Sequence, residues 1–393
     1  KEAVEAKAMA AVSRESFSAN YNGSPGGECP PSKVRRTSKR KCESKNKEKP
    51  TSVFSTAYFT CTKLGFCVNE FLPLTPPNQE EQRVTKRPNS FSIEMLSDDI
   101  LGKCFFNGYL DTFETLKLTT LNKRTRRVGL SQIHHLDLRK CKILTVEQVS
   151  KLSLLYQNMK SLDFSYCPQF GRNHLTALVD TSKNLRHLVL KGTAVNDHAL
   201  VEYLRQVHER FGECQLETLD LSAISKETCR NIGDKAAEAI SEYCPKLKCL
   251  KLGWCKNLTD KGFRSISKLK CLTELDVSLT GITVESCYIL LEKLGPKLEV
   301  LDLSATCIFQ VFEDSLEKSG WITFSKMQKL STLKLQFCEQ LSAAFVEHIV
   351  QCAASLKSID VKHSGQEGTI RLTKKQASKL CARNIQITGA TTC

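Results

Sequence analysis

The sequence lacks the segments and motifs that define several large classes of protein. No apolar run approaches the ~18 residues that a membrane-spanning helix needs. The 19 cysteines include no Cys-x-x-Cys pair, which argues against a zinc ribbon or a thioredoxin-like motif. A glycine-rich phosphate loop, a metal-ligand spacing and a nucleophile motif are also missing. We therefore expect a chain that is not an enzyme and that holds no metal and no cofactor.

The composition is that of a folded, soluble chain with an excess of positive charge. Of its 393 residues, 41% are hydrophobic and 25% are charged. Lysine and arginine number 57 against 42 aspartates and glutamates, a net charge of +15. Such a chain is attracted to acidic partners or to a compartment rich in nucleic acid. The cysteines are spread singly along a long chain, which favours buried free thiols in a reducing compartment.

Residues 1–90 have no sustained hydrophobic period and are predicted to form a disordered basic arm. Turn-forming glycine and proline residues are frequent there, and such segments bury too little apolar surface to offset their ordering entropy. Residues 33–49 hold nine basic and two acidic residues. They predict nuclear import or, alternatively, a solvated arm that binds nucleic acid non-specifically. The nuclear localisation residues would be Lys33, Arg35, Arg36, Lys39, Arg40 and Lys41.

Residues 91–130 change to apolar positions at helical spacing and predict a small helical unit. Ser97 followed by Asp98 and Asp99 is a good helix start, and a second helix is expected over residues 112–121. A unit of about 40 residues buries little surface, so it needs a neighbour or a partner to cover its apolar face.

From residue 131 the sequence repeats itself nine times. The pattern is L-x-x-L-x-L-x-x-[C/T/I], and successive copies begin 25 to 32 residues apart. The first positions are Ile133, Met159, Leu185, Leu216, Leu247, Leu272, Leu298, Leu330 and Leu356. Period and pattern are those of leucine-rich repeats, in which each unit has a strand, a turn and a returning helix. The sequence therefore predicts an α/β leucine-rich-repeat solenoid over residues 131–365, followed by a basic tail or cap at 366–393.

Two features resemble the F-box proteins with cysteine-containing leucine-rich repeats. Several copies end in cysteine, at Cys141, Cys167, Cys255 and Cys338, which we expect to be buried structural thiols. The stretch from Cys244 to Gly262 is similar to the cysteine-containing repeat subtype. Residues 96–101, Leu-Ser-Asp-Asp-Ile-Leu, resemble the opening of an F-box, with Ser97 at the usual proline position and no tryptophan in the region.

The resemblance implies a substrate-recognition subunit of a Skp–cullin–F-box ubiquitin ligase. Residues 91–130 would dock on the Skp adaptor and thereby join the cullin ligase, and the repeats would bind a protein substrate. The adaptor-binding residues would be Leu96, Ile100, Leu101, Phe105, Leu110 and Leu116, although each could equally belong to the core of that unit. Location in the nucleus, the cytoplasm or both is expected, with no membrane partner.

Side chains between the repeat leucines should lie on the exposed, concave face of the strands. Aspartates are frequent there, either as a face for a basic peptide or as a habitual residue of the Leu-Asp-Leu-Ser turn. Aromatic residues precede three of the terminal cysteines, as partner contacts or as packing for the adjacent turn. The candidate substrate-binding residues are Asp137, Asp163, Tyr166, Trp254, Asp276, Asp302 and Phe337.

Two other functions compete with the ligase hypothesis. In the first, the repeats form a protein-interaction scaffold without ligase activity, and residues 91–130 serve only as the cap that a solenoid needs. In the second, the chain regulates a small GTPase, which would call for a catalytic or water-positioning residue that we cannot identify. Binding of the adaptor separates the first alternative from the ligase hypothesis.

Overall fold

The structure, a computed structural model, describes residues 97–98, 123–141, 144–156, 158–309 and 324–392. Ten short parallel strands form one sheet, in which the first nine follow chain order and the last, Gln386–Thr388, pairs with Ser358–Asp360. They are β1 (His135–Asp137), β2 (Ser161–Asp163), β3 (His187–Val189), β4 (Thr218–Asp220), β5 (Cys249–Lys251), β6 (Glu274–Asp276), β7 (Val300–Asp302), β8 (Thr332–Lys334), β9 (Ser358–Asp360) and β11 (Gln386–Thr388). A second sheet pairs β10 (Ile370–Leu372) with β12 (Ala390–Thr392).

Helices return the chain from one strand of the sheet to the next. In chain order they are α1 (Lys123–Gln132), α2 (Val146–Leu155), α3 (Arg172–Ala177), α4 (Asp197–Phe211), α5 (Asp234–Tyr243), α6 (Asp260–Ile266), α7 (Val284–Leu294), α8 (Ala343–Cys352) and α9 (Lys374–Ala382), with a 3₁₀ helix at Val179–Lys183. Alternation of short parallel strands with helices is the architecture of a leucine-rich-repeat solenoid. The predicted fold class is therefore confirmed for the repeats.

The repeat leucines form the core because their side chains point away from the exposed face of the strands. The middle residue of each strand from β1 to β9 is at most 3% exposed, and adjacent strands pair these residues in register. The first and third apolar positions of all nine copies are buried as well. One repeat cannot cover these side chains alone, so the stacked repeats share one continuous core.

The helices begin where the sequence provides capping residues. Thr145 accepts a hydrogen bond from the backbone N–H of Gln148, whose side chain accepts one from the Thr145 N–H, a complete capping box for α2. Asn196 and Thr283 cap α4 and α7, because their side chains accept from the backbone N–H groups of Ala199 and Ser286.

The first described helix joins the repeats to the segment that precedes them. Val128 of α1 is buried in the same core as Ile133 and Leu136. Arg124 donates to Asp98 over 2.7 Å and Arg127 donates to Asp98 over 3.1 Å. Helix α1 ends at Gln132, so it runs across the boundary that the sequence places between residues 130 and 131. The second helix predicted at 112–121 lies outside the described residues.

The C-terminal segment adds a strand that the repeat pattern did not predict. Residues Gln386–Thr388 pair in parallel with Ser358–Asp360, and Ile370, Leu372, Leu380 and Ile385 are buried.

Within the described ranges, no helix combines the length and the apolarity needed to cross a bilayer.

Gly389 is expected to be essential for the attachment of this last strand. Its φ is +87°, and a Cβ there would lie 2.4 Å from Cα and N of Lys362, immediately after β9. We expect Gly389→Ala to strip hydrogen-exchange protection from the β11 amides, at a local cost of about 1–3 kcal/mol, while the main unfolding transition changes little. Gly368→Ala is the matched control, because Gly368 has a φ of +72° with no atom within 4 Å. Equal loss of β11 protection in both variants would contradict the role of the Lys362 contact.

Candidate protein-binding face

The candidate site is the exposed face of the ten-stranded sheet. The third residue of each strand forms one continuous row, because the strands pair without a register shift. The row is Asp137, Asp163, Val189, Asp220, Lys251, Asp276, Asp302, Lys334 and Asp360, and Thr388 of β11 extends it. Neighbouring strands of a sheet are about 4.8 Å apart. The row therefore presents closely spaced side chains to a partner, most of them charged, with Val189 and Thr388 uncharged and Asp220 buried.

The aspartates of the row stabilise the turn that follows each strand. Asp163 Oδ1 accepts from the backbone N–H of Ser165 over 2.8 Å, and the same bond runs from Ser222 to Asp220 and from Ser304 to Asp302. Such bonds to the backbone two residues on define Asx turns. At each of these positions, one carboxylate oxygen accepts the backbone hydrogen bond of the turn. The second oxygen does not take part in that bond.

Arg139 partly neutralises the first two aspartates. Its Nε lies 2.8 Å from both carboxylate oxygens of Asp137 and 3.7 Å from Oδ2 of Asp163. Partial burial raises the pKa of Asp137, but the hydrogen bonds from Arg139 outweigh it and hold that pKa below its ordinary value. The acidic character of this end of the face is consequently reduced.

Asp276 and Asp302 are the second pair of adjacent aspartates, and here the environment of Asp302 opposes its ionisation. The two residues are in register on β6 and β7. Burial raises the pKa of Asp302 above its ordinary value, and the Asp276 carboxylate raises it further, while Lys334 Nζ at 3.6 Å from Oδ2 acts in the opposite direction. A cationic group of a partner placed beside Asp302 would therefore stabilise the ionised form of this carboxylate.

The pH dependence of stability should reveal this buried carboxylate. Because its folded pKa is raised, Asp302 binds its proton more tightly in the folded chain than in the unfolded chain, where the pKa is about 3.9. Ionisation of Asp302 thus costs stability as the pH rises above that value. We expect Asp302→Asn, which keeps an oxygen for the Ser304 N–H, to gain free energy of unfolding relative to wild type between about pH 4 and pH 7 in urea titrations. A difference that stays constant or shrinks with pH would contradict this assignment.

The predicted aromatic residues lie at the turn where each strand ends. Tyr166, Trp254 and Phe337 have φ of 63°, 62° and 56°, a left-handed conformation that is uncommon for bulky residues. Their backbone N–H groups donate to carbonyls of the next repeat over 2.7 to 3.0 Å, so the repeat stacking imposes this conformation. All three side chains are half-buried along one edge of the exposed face.

The contacts of the three aromatic residues differ. The Phe337 ring stacks on His363 of the next repeat, with ring centres 4.8 Å apart, and Lys191 Nζ lies 5.9 Å from the centre of the Tyr166 ring. The indole Nε1 of Trp254 is buried and has no hydrogen-bond partner among the described residues. Contacts with the adjacent repeat therefore explain the side-chain positions of Phe337 and Tyr166 more fully than that of Trp254.

The predicted residues form two groups on this face. Asp137, Asp163 and Tyr166 lie together on the first two repeats, and Trp254, Asp276 and Asp302 lie together on β5–β7 or the turns that follow. Phe337 lies farther along, after β8. The predicted adaptor-binding residues and nuclear localisation residues lie outside the described residues.

The terminal cysteines are buried, as the sequence predicts. The thiol of Cys167 lies 3.2 Å from the carbonyl oxygen of Leu138, and that of Cys338 lies 3.6 Å from the carbonyl oxygen of Leu303. Burial raises the pKa of Cys338 to about 12, which suppresses the reactive thiolate. Across the part of the chain that the structure describes, no three His, Cys, Asp or Glu side chains gather in a way that could hold a metal ion.

Fold and face together define a leucine-rich-repeat solenoid, an architecture whose extended strand face serves to bind protein partners. A sequence profile described as Leucine Rich repeat matches residues 243–267. Among solved structures, internalin C2 from Listeria monocytogenes is similar to this chain, with 16% sequence identity and a TM-score of 0.38. The match covers 64% of this chain and 84% of the internalin. The repeats thus suggest a role in protein–protein interaction.

Proposed function

We propose that this chain is the substrate-recognition subunit of a Skp–cullin–F-box ubiquitin ligase. Residues 91–130 dock on the Skp adaptor, and the exposed face of the sheet binds the protein substrate. The chain itself catalyses nothing, because its contribution is to hold a substrate lysine at high effective concentration near the conjugating enzyme. The basic cluster at residues 33–41 directs the complex to the nucleus.

The continuous, mostly charged row of side chains across ten strands carries the substrate-binding half of this proposal. A face that is in register throughout, exposed and mixed in charge suits an extended protein segment better than a small molecule. The resemblance of residues 96–101 to an F-box opening, immediately before the repeats, supports the adaptor-binding half.

A scaffold without ligase activity is the second candidate, and the contacts of α1 favour it. Helix α1 places Val128 in the core of the first repeat, and Asp98 pairs with Arg124 and Arg127. These contacts are those expected of a cap that shields the end of the repeat array. In that case the segment before the repeats would contribute stability and no adaptor binding.

Adaptor binding by the full chain separates the two candidates. The ligase proposal expects the purified chain to pull down the Skp adaptor and expects Ile100→Asp with Leu101→Asp to abolish the binding. The matched control is Leu154→Asp with Ile224→Asp, which changes two exposed apolar side chains of the repeats by the same chemistry. An unaltered circular dichroism melt shows that each variant is folded. Absence of binding by the folded wild-type chain would favour the scaffold.

A further inference from the structure

An open groove of about 760 Å³ lies at the amino ends of the first strands, opposite the edge that carries the aromatic residues. His134, Lys160 and Arg186 each precede a strand and line this groove. The Lys160 N–H donates to the His134 carbonyl over 2.8 Å, and the Arg186 N–H donates to the Lys160 carbonyl over 2.9 Å. These bonds stack the three residues at the strand spacing of about 4.8 Å, so the His134 imidazole and the cationic side chains of Lys160 and Arg186 line the groove in a row.

The chain segments between helices and strands add further cations. Lys183, from the 3₁₀ helix, and Arg210, from the end of α4, both line the groove. Lys160 and Lys183 are exposed and form no ion pair with any described residue. The acidic residue in the lining, Glu213, is 2.7 Å from Lys246 outside the groove, so it neutralises little of this charge.

The remaining two arginines are only partly neutralised. Arg210 lies 2.7 Å from Asp180, and Arg186 lies 3.4 Å from Glu217, which also accepts from Lys248. Both arginine side chains are more than half exposed, where ion pairs contribute little and exchange readily with a competing anion. The groove therefore has a net positive charge that no described part of the chain cancels.

From this geometry we propose that the groove binds a short acidic peptide segment, rich in aspartate or glutamate, of a protein partner. The basic side chains are spread over three repeats, which matches several carboxylates along an extended segment better than a single phosphate. Asn158, Asn184 and Gln215 line the same groove and can bond to a peptide backbone.

A nucleic acid is a less suitable occupant because of the neighbouring charges. Asp137 and Asp163 lie three residues beyond His134 and Lys160 on the same strands, at about 10 Å. A polyanionic backbone that left the groove across the sheet would meet these carboxylates. The proposal rests on a protein-binding role for the repeats but not on adaptor docking, so the two can fail independently.

The test is fluorescence anisotropy of the full chain with a labelled peptide of alternating glutamate and alanine. We expect saturable binding that weakens as salt is raised, since the charges are exposed. Lys160→Glu with Lys183→Glu should weaken it by about tenfold or more. The control is Lys357→Glu with Lys374→Glu, which makes the same charge change at exposed lysines far along the array and should alter affinity by less than about twofold.

Three results would overturn the proposal. One is no saturable binding of the glutamate peptide at low salt. The second is an equal loss in both double variants, which would mean attraction by net charge alone. The third is stronger binding of a phosphoserine peptide or a single-stranded oligonucleotide of matched charge, which would assign the groove to a different ligand. Adaptor binding is measured separately on the same preparations, so a failure of the ligase proposal remains distinguishable.

Discussion

Leu250→Ala is expected to lower the free energy of unfolding by about 2–5 kcal/mol. Leu250 is the middle residue of β5, it is 0% exposed, and its strand lies between β4 and β6 near the centre of the sheet. Truncation removes buried methyl groups and leaves a cavity that rigid neighbouring repeats cannot fill. Because each repeat contacts only its neighbours, damage at the centre also weakens the coupling between the two ends of the array.

Urea denaturation followed by tryptophan fluorescence and by circular dichroism measures this effect. Trp254 is in the same repeat as Leu250, so its fluorescence in a Trp321→Phe background reports on local unfolding, whereas circular dichroism reports on all the repeats. Leu154→Ala is the matched control, because Leu154 is 67% exposed and should change stability by less than about 0.5 kcal/mol. Similar losses in the two variants would mean that the repeat core is not where the structure places it.

Asp234→Ala is expected to cost about 2–3 kcal/mol, the second largest effect. Its carboxylate, at the start of α5, accepts from the Thr259 N–H over 2.8 Å, the Thr259 hydroxyl over 2.6 Å and the Gly262 N–H over 3.0 Å. All three donors belong to the next repeat, so this side chain links two adjacent repeats by hydrogen bonds. Alanine would leave the donors without their acceptor and remove a negative charge from the helix N-terminus.

Asp234→Asn separates the contribution of the hydrogen bonds to stability from that of the negative charge. Asparagine keeps one oxygen in place, so we expect it to cost about 1 kcal/mol in the same urea titration. Asp197 and Asp260 occupy the same position of α4 and α6 and also accept from the following repeat. An Asp234→Ala variant as stable as wild type would show that backbone and core contacts alone couple these repeats.

Much of the fold could be predicted because the same leucine pattern recurs in nine copies, each of which predicts a strand. The leucine spacing located the strands of all nine predicted copies. The pattern missed α3 and the adjacent 3₁₀ helix, which are too short for a clear hydrophobic period. It also missed β11, since Ile387 is its only apolar residue at a repeat position, with Asn384 and Gly389 at the other two.

The last position of the fourth copy differs from that of the other copies. Ile224 occupies it and is 38% exposed, whereas Cys141, Cys167, Cys255 and Cys338 are buried at the same position. The chain turns there, with the Ile224 and Ser225 N–H groups both donating to the Thr228 hydroxyl. The longer interval to the next copy was the signal of this turn, although its direction depends on local hydrogen bonds that spacing does not encode.

The candidate site was predictable in part. Alternation along the strands was enough to place the aspartate row on one face, because side-chain direction has a period of two. It could not show that Asp163 and Asp302 also bond to their own turns. The basic groove had no sequence signal, since His134, Lys160, Lys183, Arg186 and Arg210 come from three repeats and have no common motif.

Hydrogen exchange of the full chain, alone and with the Skp adaptor, tests the central claim most directly. The claim is that adaptor and substrate occupy separate segments of one chain. It predicts new protection within residues 96–121 on adding the adaptor, with the amides of β1 to β9 and the loops after them unchanged. Protection confined to the sheet face, or none at adaptor concentrations that saturate a known F-box protein, would contradict it.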